Sequence, residues 1–412
     1  MNSKLKNDSG RIVAAALKAA QPDTAVLKAL DDIEFNPGRL VLIAAGKAAW
    51  QMSYAAYSAL GNRIDCGAVI TKHGYSKGEI GSLEIYEAGH PVPDSDSYSA
   101  TRRAIELVDG LSEDDSVLFL LSGGGSALFE KPLIPPEDLE KLTGSLLECG
   151  ADITEINTIR KRMSSVKGGR FAELCSPAKV FTIILSDIIG DPIDMIASGP
   201  AYPDSSTCSQ AQAIVEKYGL DLTPEMQELI RRETPKSLSN VETHVTGSVS
   251  QLCAAAEKEC ISLGYKPFIL TASLSCTARD AGVFLSNIAQ YYKDTKESLA
   301  FIAGGETVVK ITGNGLGGRN QEIALAAAQG ISGLENTTVF SVGSDGTDGP
   351  TDAAGGYCDS ASYGLLQSKG IDPYAVLQNN DSYHALQECD GLIFTGPTGT
   401  NVNDLSVLLI KR

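Results

Sequence analysis

The chain has 412 residues, 43% hydrophobic and 21% charged, with a formal net charge of −17. That length suits two domains with cores of their own, and the acidity excludes the basic face that nucleic acid requires. No apolar run is long enough to span a bilayer and no N-terminal leader stands out. Nine scattered cysteines without CxxC or CxC spacing read as reduced thiols, so a soluble cytoplasmic protein is expected.

From Ser9 to Ala20 apolar residues recur at helical spacing, and Pro22 closes the run. Leu40 to Ala45 reads as a short buried strand leading into Gly46-Lys47 and a helix that reaches Leu60. Strands are expected at Ala68–Thr71, Leu83–Ala88, Val117–Leu121 and Val180–Leu185, with helices at Ser99–Val108, Pro136–Cys149 and Ile156–Glu173. This alternation predicts a parallel sheet with helices on both faces. A polar stretch from Pro224 to Asn240 marks a break. A βαβ-like unit follows (Glu242–Thr246, Ser250–Leu263, Pro267–Thr271), then a helix at Thr277–Tyr292. Further strands are predicted at Leu299–Ala303, Val308–Ile311, Thr338–Val342, Leu392–Phe394 and Leu405–Ile410.

Several clusters can carry chemistry. Gly46-Lys47 joins a strand to a helix start, where backbone N–H groups and the helix dipole favour an anion; a solvated loop lysine fits the same residues. In Ser122-Gly123-Gly124-Gly125-Ser126, three glycines let backbone approach phosphate oxygens and both serines can donate to them. Arg160, Lys161, Arg162, Lys167 and Arg170 form the densest basic cluster, suited to an anionic ligand or to a solvated helix face. Asp187, Asp191 and Asp194 follow a strand and suit Mg²⁺, or plain turn chemistry.

Downstream, Gly304-Gly305-Glu306-Thr307 is followed by a literal GxGxxG at Gly313, Gly315 and Gly318, then Arg319 and Asn320. By the letter this is a dinucleotide fingerprint, although its acidic candidate, Asp345, lies further on than the usual spacing; a hairpin turn is the alternative. Arg319 suits a developing phosphoryl charge. Asp345, Asp348 and Asp352, interleaved with glycine, suit a cation or a hydroxyl-activating base. Thr398 to Asp404 is a polar loop between apolar strands, and His90-Pro91-Val92-Pro93-Asp94 reads as a fixed loop.

Together these stretches resemble the glycerate 2-kinase family with its C-terminal MOFRL-type domain. The matching pieces are AAGKAA at 44–49, GHPVPD at 89–94, LSGGGSAL at 121–128, INTIRKRMSSVKGGR at 156–170 and ILSDIIGDPIDMIASGP at 184–200. They continue with GGET at 304–307, GNGLGGRNQE at 313–322, GSDGTDGPTDAAG at 343–355 and GPTGTNVNDL at 396–405, all in family order. The resemblance implies phosphoryl transfer from ATP to D-glycerate with Mg²⁺, giving 2-phosphoglycerate and ADP. It also implies catalytic roles for Lys47 and Arg319. Ser344 stands where the family more usually has Thr and keeps the hydroxyl. Members have also carried the label hydroxypyruvate reductase.

The expected architecture is α/β: a Rossmann-like, doubly wound, mainly parallel sheet over residues 1–235 and a second, smaller α/β domain over 236–412, with the site between them. Ser122, Gly123, Gly124, Gly125 and Ser126, with Gly315, Gly317 and Gly318, are expected to hold ATP. Lys47 and Arg319 balance charge on the transferring group and the glycerate carboxylate, and Asp345 accepts the proton of the 2-hydroxyl. Arg160, Lys167, Asn320, Thr400 and Asn401 are expected to contact substrate, and Asp187 and Asp191 to ligate Mg²⁺. Two other functions stay open: an NAD(P)H-dependent hydroxypyruvate reductase, and a non-catalytic metabolite-binding protein. A monomer or homodimer with no nucleic acid or membrane partner is expected.

Overall fold

Six short runs between residues 40 and 246 pair side by side, all parallel. They are β1 (Leu40–Ala45), β2 (Cys66–Lys72), β3 (Leu83–Ala88), β4 (Ser116–Leu121), β5 (Lys179–Leu185) and β6 (Val241–Thr246). The computed structural model describes residues 2–186 and 193–412. The strand order β3-β2-β1-β4-β5-β6 is that of a doubly wound dinucleotide-type sheet. Every residue of β1 and β4 is buried. A strand covered on both faces needs an apolar side chain at nearly every position, so these two read as unbroken apolar runs. From β1 the chain moves outward to β2 and β3, then returns to lay down β4 on the other side. The chain thus reverses direction across the sheet between β1 and β4, which puts the topological switch point at the carboxyl ends of these two strands.

The second sheet is mixed. It contains β7 (Lys266–Leu274), β8 (Leu299–Gly305), β9 (Thr337–Gly343), β10 (Gly355–Asp359), β11 (Leu392–Ile393) and β12 (Asp404–Ile410), in the order β11-β10-β9-β12-β8-β7. β7 and β8 are parallel, while β12 is inserted antiparallel between β8 and β9. Asp404, the first residue of β12, thereby faces both Gly305 and Gly343, the last residues of β8 and β9. Helices Ala278–Tyr291 and Arg319–Ala328 close a core through Leu285, Ile323, Ala324, Ala327 and Leu408.

Two compact units result: one of residues 22–186 and 193–246, the other of 2–21 and 247–412. Helix Ser3–Ala19 belongs with the second. There the Tyr265 hydroxyl donates to Asp8 at 2.8 Å, and the Thr400 hydroxyl to the Ala20 carbonyl at 2.8 Å. No helix among the described residues is long and apolar enough to cross a membrane.

Several elements differ from expectation. Pro22 opens a helix, Pro22–Leu30, at the first-turn position where its missing N–H costs nothing. The helix expected over Ile156–Glu173 breaks into Ile153–Arg162 and Arg170–Leu174, because Gly168 and Gly169 adopt φ of +58° and +86°. The βαβ-like unit after Asn240 is divided: β6 pairs with β5 in the first sheet, whereas β7 pairs with β8 in the second. Val308–Ile311 forms no strand, only a single bridge from Val308 to Thr277. β10 went unrecognised because two glycines hide its apolar character.

Candidate active site

At the first sheet's crevice the loops after β1 and β4 are laced together. The Lys47 N–H donates to the Gly123 carbonyl at 2.9 Å, and the Ala48 N–H to the Ser122 hydroxyl at 3.1 Å. Gly46 has φ +133°, and a Cβ there would fall 2.1 Å from Ser122 Oγ, so only glycine permits this approach. Lys47 itself is exposed. Gly124, at φ +86°, lies under the half-buried imidazole of His90 and beside the Lys47 side chain. Burial, then the charges of Lys47 and Lys72, push the His90 pKa below its ordinary value, which favours a neutral ring. The loop presenting His90 is braced by Asp94. Its carboxyl accepts from the Ser97 amide and from His73 Nε2 at 2.9 Å each, and these bonds outweigh burial to hold its pKa at about 2.

Beneath the glycine run lies the basic cluster, and most of it is buried. Lys167 is fully buried, its ammonium donating to the carbonyls of Ser126 (2.8 Å) and Phe129 (3.0 Å) and pairing with buried Glu130 at 3.3 Å. Arg160 donates to the same Ser126 carbonyl at 3.2 Å. Lys161 pairs with Asp204 and Asp194, and Arg162 bonds Ser206. The cluster is therefore neither a solvated helix face nor, at Lys167, a surface open to substrate: it holds up the loop. Ser122 is buried and spends its hydroxyl on Ala48. The Ser126 hydroxyl meets Ser198, which donates to Asn157.

In the second unit the ends of β8 and β9, the start of β12 and helix Arg319–Ala328 surround a cavity of about 690 Å³ lined by Glu306, Gly315, Gly317, Arg319, Asp345 and Asp348, among others. Arg319 binds Asp404 through two nitrogens (2.6 and 3.0 Å) and Glu306 through a third (2.7 Å). These bonds outweigh burial and raise the guanidinium pKa still further. Asp345 is half-buried, and one of its carboxylate oxygens accepts from the Thr347 amide at 3.0 Å. Its loop is propped by the 398–403 segment: the Thr398 N–H donates to the Asp345 carbonyl and the Val402 N–H to the Ser344 hydroxyl.

The GxGxxG stretch serves the protein itself. Amides of Gly313, Asn314, Gly315 and Leu316 bond residues 379–381. At the start of helix Arg319–Ala328 the Asp348 carboxylate accepts the amides of Asn320 (3.1 Å) and Gln321 (2.8 Å). It occupies the position a pyrophosphate would take in a dinucleotide fingerprint. Gly315, Gly317 and Gly318 do line the cavity, but these features argue against a dinucleotide cradle. Asn320 is buried between Asp348 and Ser341, Thr400 is buried with its hydroxyl on Ala20, and Asn401 is exposed. Asp187 and Asp191 lie outside the described residues.

Sequence reasoning did not single out Glu306 and Asp404 as partners of Arg319, nor Glu130 beneath the first loop. Glu306, directly after two glycines, and Asp404, between a polar loop and an apolar strand, each carry a local signal, whereas Glu130 carries none.

Comparisons with known proteins give the family. Residues 8–231 match the model of a domain of unknown function, DUF4147, and residues 299–404 that of the MOFRL family. The chain is 52% identical to a D-glycerate 2-kinase of Thermotoga maritima, over 98% of each chain, and 42% identical to a glycerate 2-kinase of Pyrococcus horikoshii, over 97% of this chain and 96% of that one. A crystal structure of glycerate kinase from Thermotoga maritima superposes with a TM-score of 0.94, covering 99% of both chains.

Proposed function

The chain belongs to the glycerate 2-kinase family, and from that premise we infer that it transfers the γ-phosphoryl group of ATP to the 2-hydroxyl of D-glycerate, giving 2-phosphoglycerate and ADP. The observation that carries this reading is the laced pair of loops at the β1/β4 crevice, with exposed Lys47 beside Gly124. Phosphoryl transfer asks the protein for positioning and countercharge more than for covalent chemistry.

In this mechanism the 122–126 loop takes the phosphates of ATP and Lys47 offsets charge on the transferring group. Arg319, its orientation fixed by Asp404 and Glu306, neutralises the glycerate carboxylate or the developing phosphoryl charge. Three of its five N–H groups are engaged among the described residues. Asp345 accepts the proton of the substrate hydroxyl. Lys167 and Arg160 act on the loop from below, and Asn320 and Thr400 act through the packing of Asp348 and of the 398–403 segment.

Mg²⁺ takes oxygen ligands; at the second unit's cavity Asp345 offers a half-buried carboxylate, whereas Glu306 is engaged by Arg319. Asp187 and Asp191 are the further ligands we propose. When bound, the ion would neutralise phosphate oxygens of the nucleotide. We place the protein in the cytoplasm, in keeping with nine cysteines that form no disulfide. The test is ³¹P NMR of a mixture of protein, ATP, Mg²⁺ and D-glycerate: a 2-phosphoglycerate resonance supports the reading, and its absence with either substrate in excess refutes it.

A further inference from the structure

We propose that Lys167 is a positioning residue for the nucleotide loop: with Arg160 it fixes the Ser126 carbonyl, and against Glu130 the two cations leave one buried positive charge beneath the loop. The proposal rests on the reading that residues 122–126 bind ATP.

Helix Gly125–Leu128 is a single turn. So short a helix cannot satisfy its own terminal carbonyls. Lys167 serves two at this end, Ser126 at 2.8 Å and Phe129 at 3.0 Å, and Arg160 adds a second donor to Ser126 at 3.2 Å. The Ser126 hydroxyl is held from another side by Ser198 and Asn157. Ser126 is thus fixed at both its carbonyl and its hydroxyl, and the three glycines before it, otherwise free to take many conformations, inherit one boundary.

Electrostatics adds a second effect. Lys167 and Arg160 face one anion, Glu130, which is fully buried 3.3 Å from Lys167 and 3.5 Å from Arg160. Among the described residues, Glu130 and Arg160 are the charged groups that act on Lys167 most strongly. The excess positive charge is shielded from salt by burial, unlike a surface lysine. In a chain of net charge −17, such a local charge lets the loop favour a polyanion. Burial also pushes the Lys167 ammonium down to about 8, with Arg160 lowering it and Glu130 opposing. Its charge is therefore lost within the working range of an assay, while the neutral amine retains hydrogens to donate.

The test is direct binding of ATP by titration calorimetry to the wild type, Lys167→Met and Lys167→Met/Glu130→Gln, with D-glycerate KM measured alongside. The double variant also removes the carboxylate that Lys167 faces, so a folding defect of the single variant caused by buried Glu130 is separated from the loss of the loop's donor. Both variants are expected to weaken ATP about tenfold or more while D-glycerate KM moves less than twofold. Wild-type affinity should fall as pH rises through about 8, and that limb should be missing in the double variant. Gly124→Ala separates the two readings. If it weakens ATP while the Lys167 variants bind normally, the positioning role is overturned and the loop assignment stands. If none of the three variants weakens ATP, the loop assignment falls and the positioning role with it.

Discussion

Asp404 grips Arg319 by two edges, with Oδ2 2.6 Å from Nε and Oδ1 3.0 Å from Nη2. The carboxylate is buried and the guanidinium one-third exposed, so the pair presents a cation of fixed orientation to the cavity. Arg319→Ala is expected to lower kcat by about three orders of magnitude or more, the scale of an arginine acting on a transferring phosphoryl group. Asp404→Asn keeps the arginine but frees its orientation, and should lower kcat by about a hundredfold. Steady-state kinetics on both variants, with circular dichroism to verify folding, checks the order of the two effects.

Lys47 is exposed, and its side chain makes no bond that holds the loops together among the described residues. Lys47→Ala should therefore retain the wild-type Tm within a degree or two while kcat falls by roughly a hundredfold to a thousandfold. A thermal melt beside the kinetic assay decides it. A large drop in Tm would mean that the lysine supports the fold.

Gly46→Ala should do the opposite. Its Cβ would meet Ser122 Oγ at 2.1 Å in a backbone conformation that L side chains avoid. The expected cost is about 3 kcal/mol of stability from strain and displaced loops, measured by urea denaturation.

Asp348 gives a pH signature. Burial, helped by Asp404 and opposed by the amides of Gln321 and Asn320, pushes its carboxyl up to about 6. A carboxyl raised above its unfolded value holds its proton more tightly when folded. Its contribution is complete below about pH 4 and is lost as pH rises through about 6. The stability difference between the wild type and Asp348→Asn should therefore shift in the variant's favour from pH 4 to 7, and parallel melting curves across that range would refute it.

The first sheet was legible because its central strands are buried on both faces. Leu40–Ala45 and Val117–Leu121 are unbroken apolar runs, and each ends in a glycine-containing loop that marks the crevice. The second sheet was harder to read. β12 pairs between β8 and β9, about a hundred and about seventy residues away in sequence, and no local pattern records such a partner. For the same reason, nothing within 1–20 announces that the first helix packs with the C-terminal unit. The glycines of 313–318 were conspicuous but ambiguous. Whether their amides turn toward a phosphate or toward Asn379 and Asn380 depends on a segment more than sixty residues on. The charge run at 160–170 misled because burial, not composition, separates a solvated face from an internal clamp.

The most direct test of the central claim is one assay with ATP, Mg²⁺ and D-glycerate, run beside hydroxypyruvate with NADH or NADPH. The expected result is ADP and 2-phosphoglycerate in equal amounts, formed roughly a hundredfold or more slowly by Lys47→Ala, with no cofactor oxidation. Oxidation of NADH or NADPH without ADP release would contradict it.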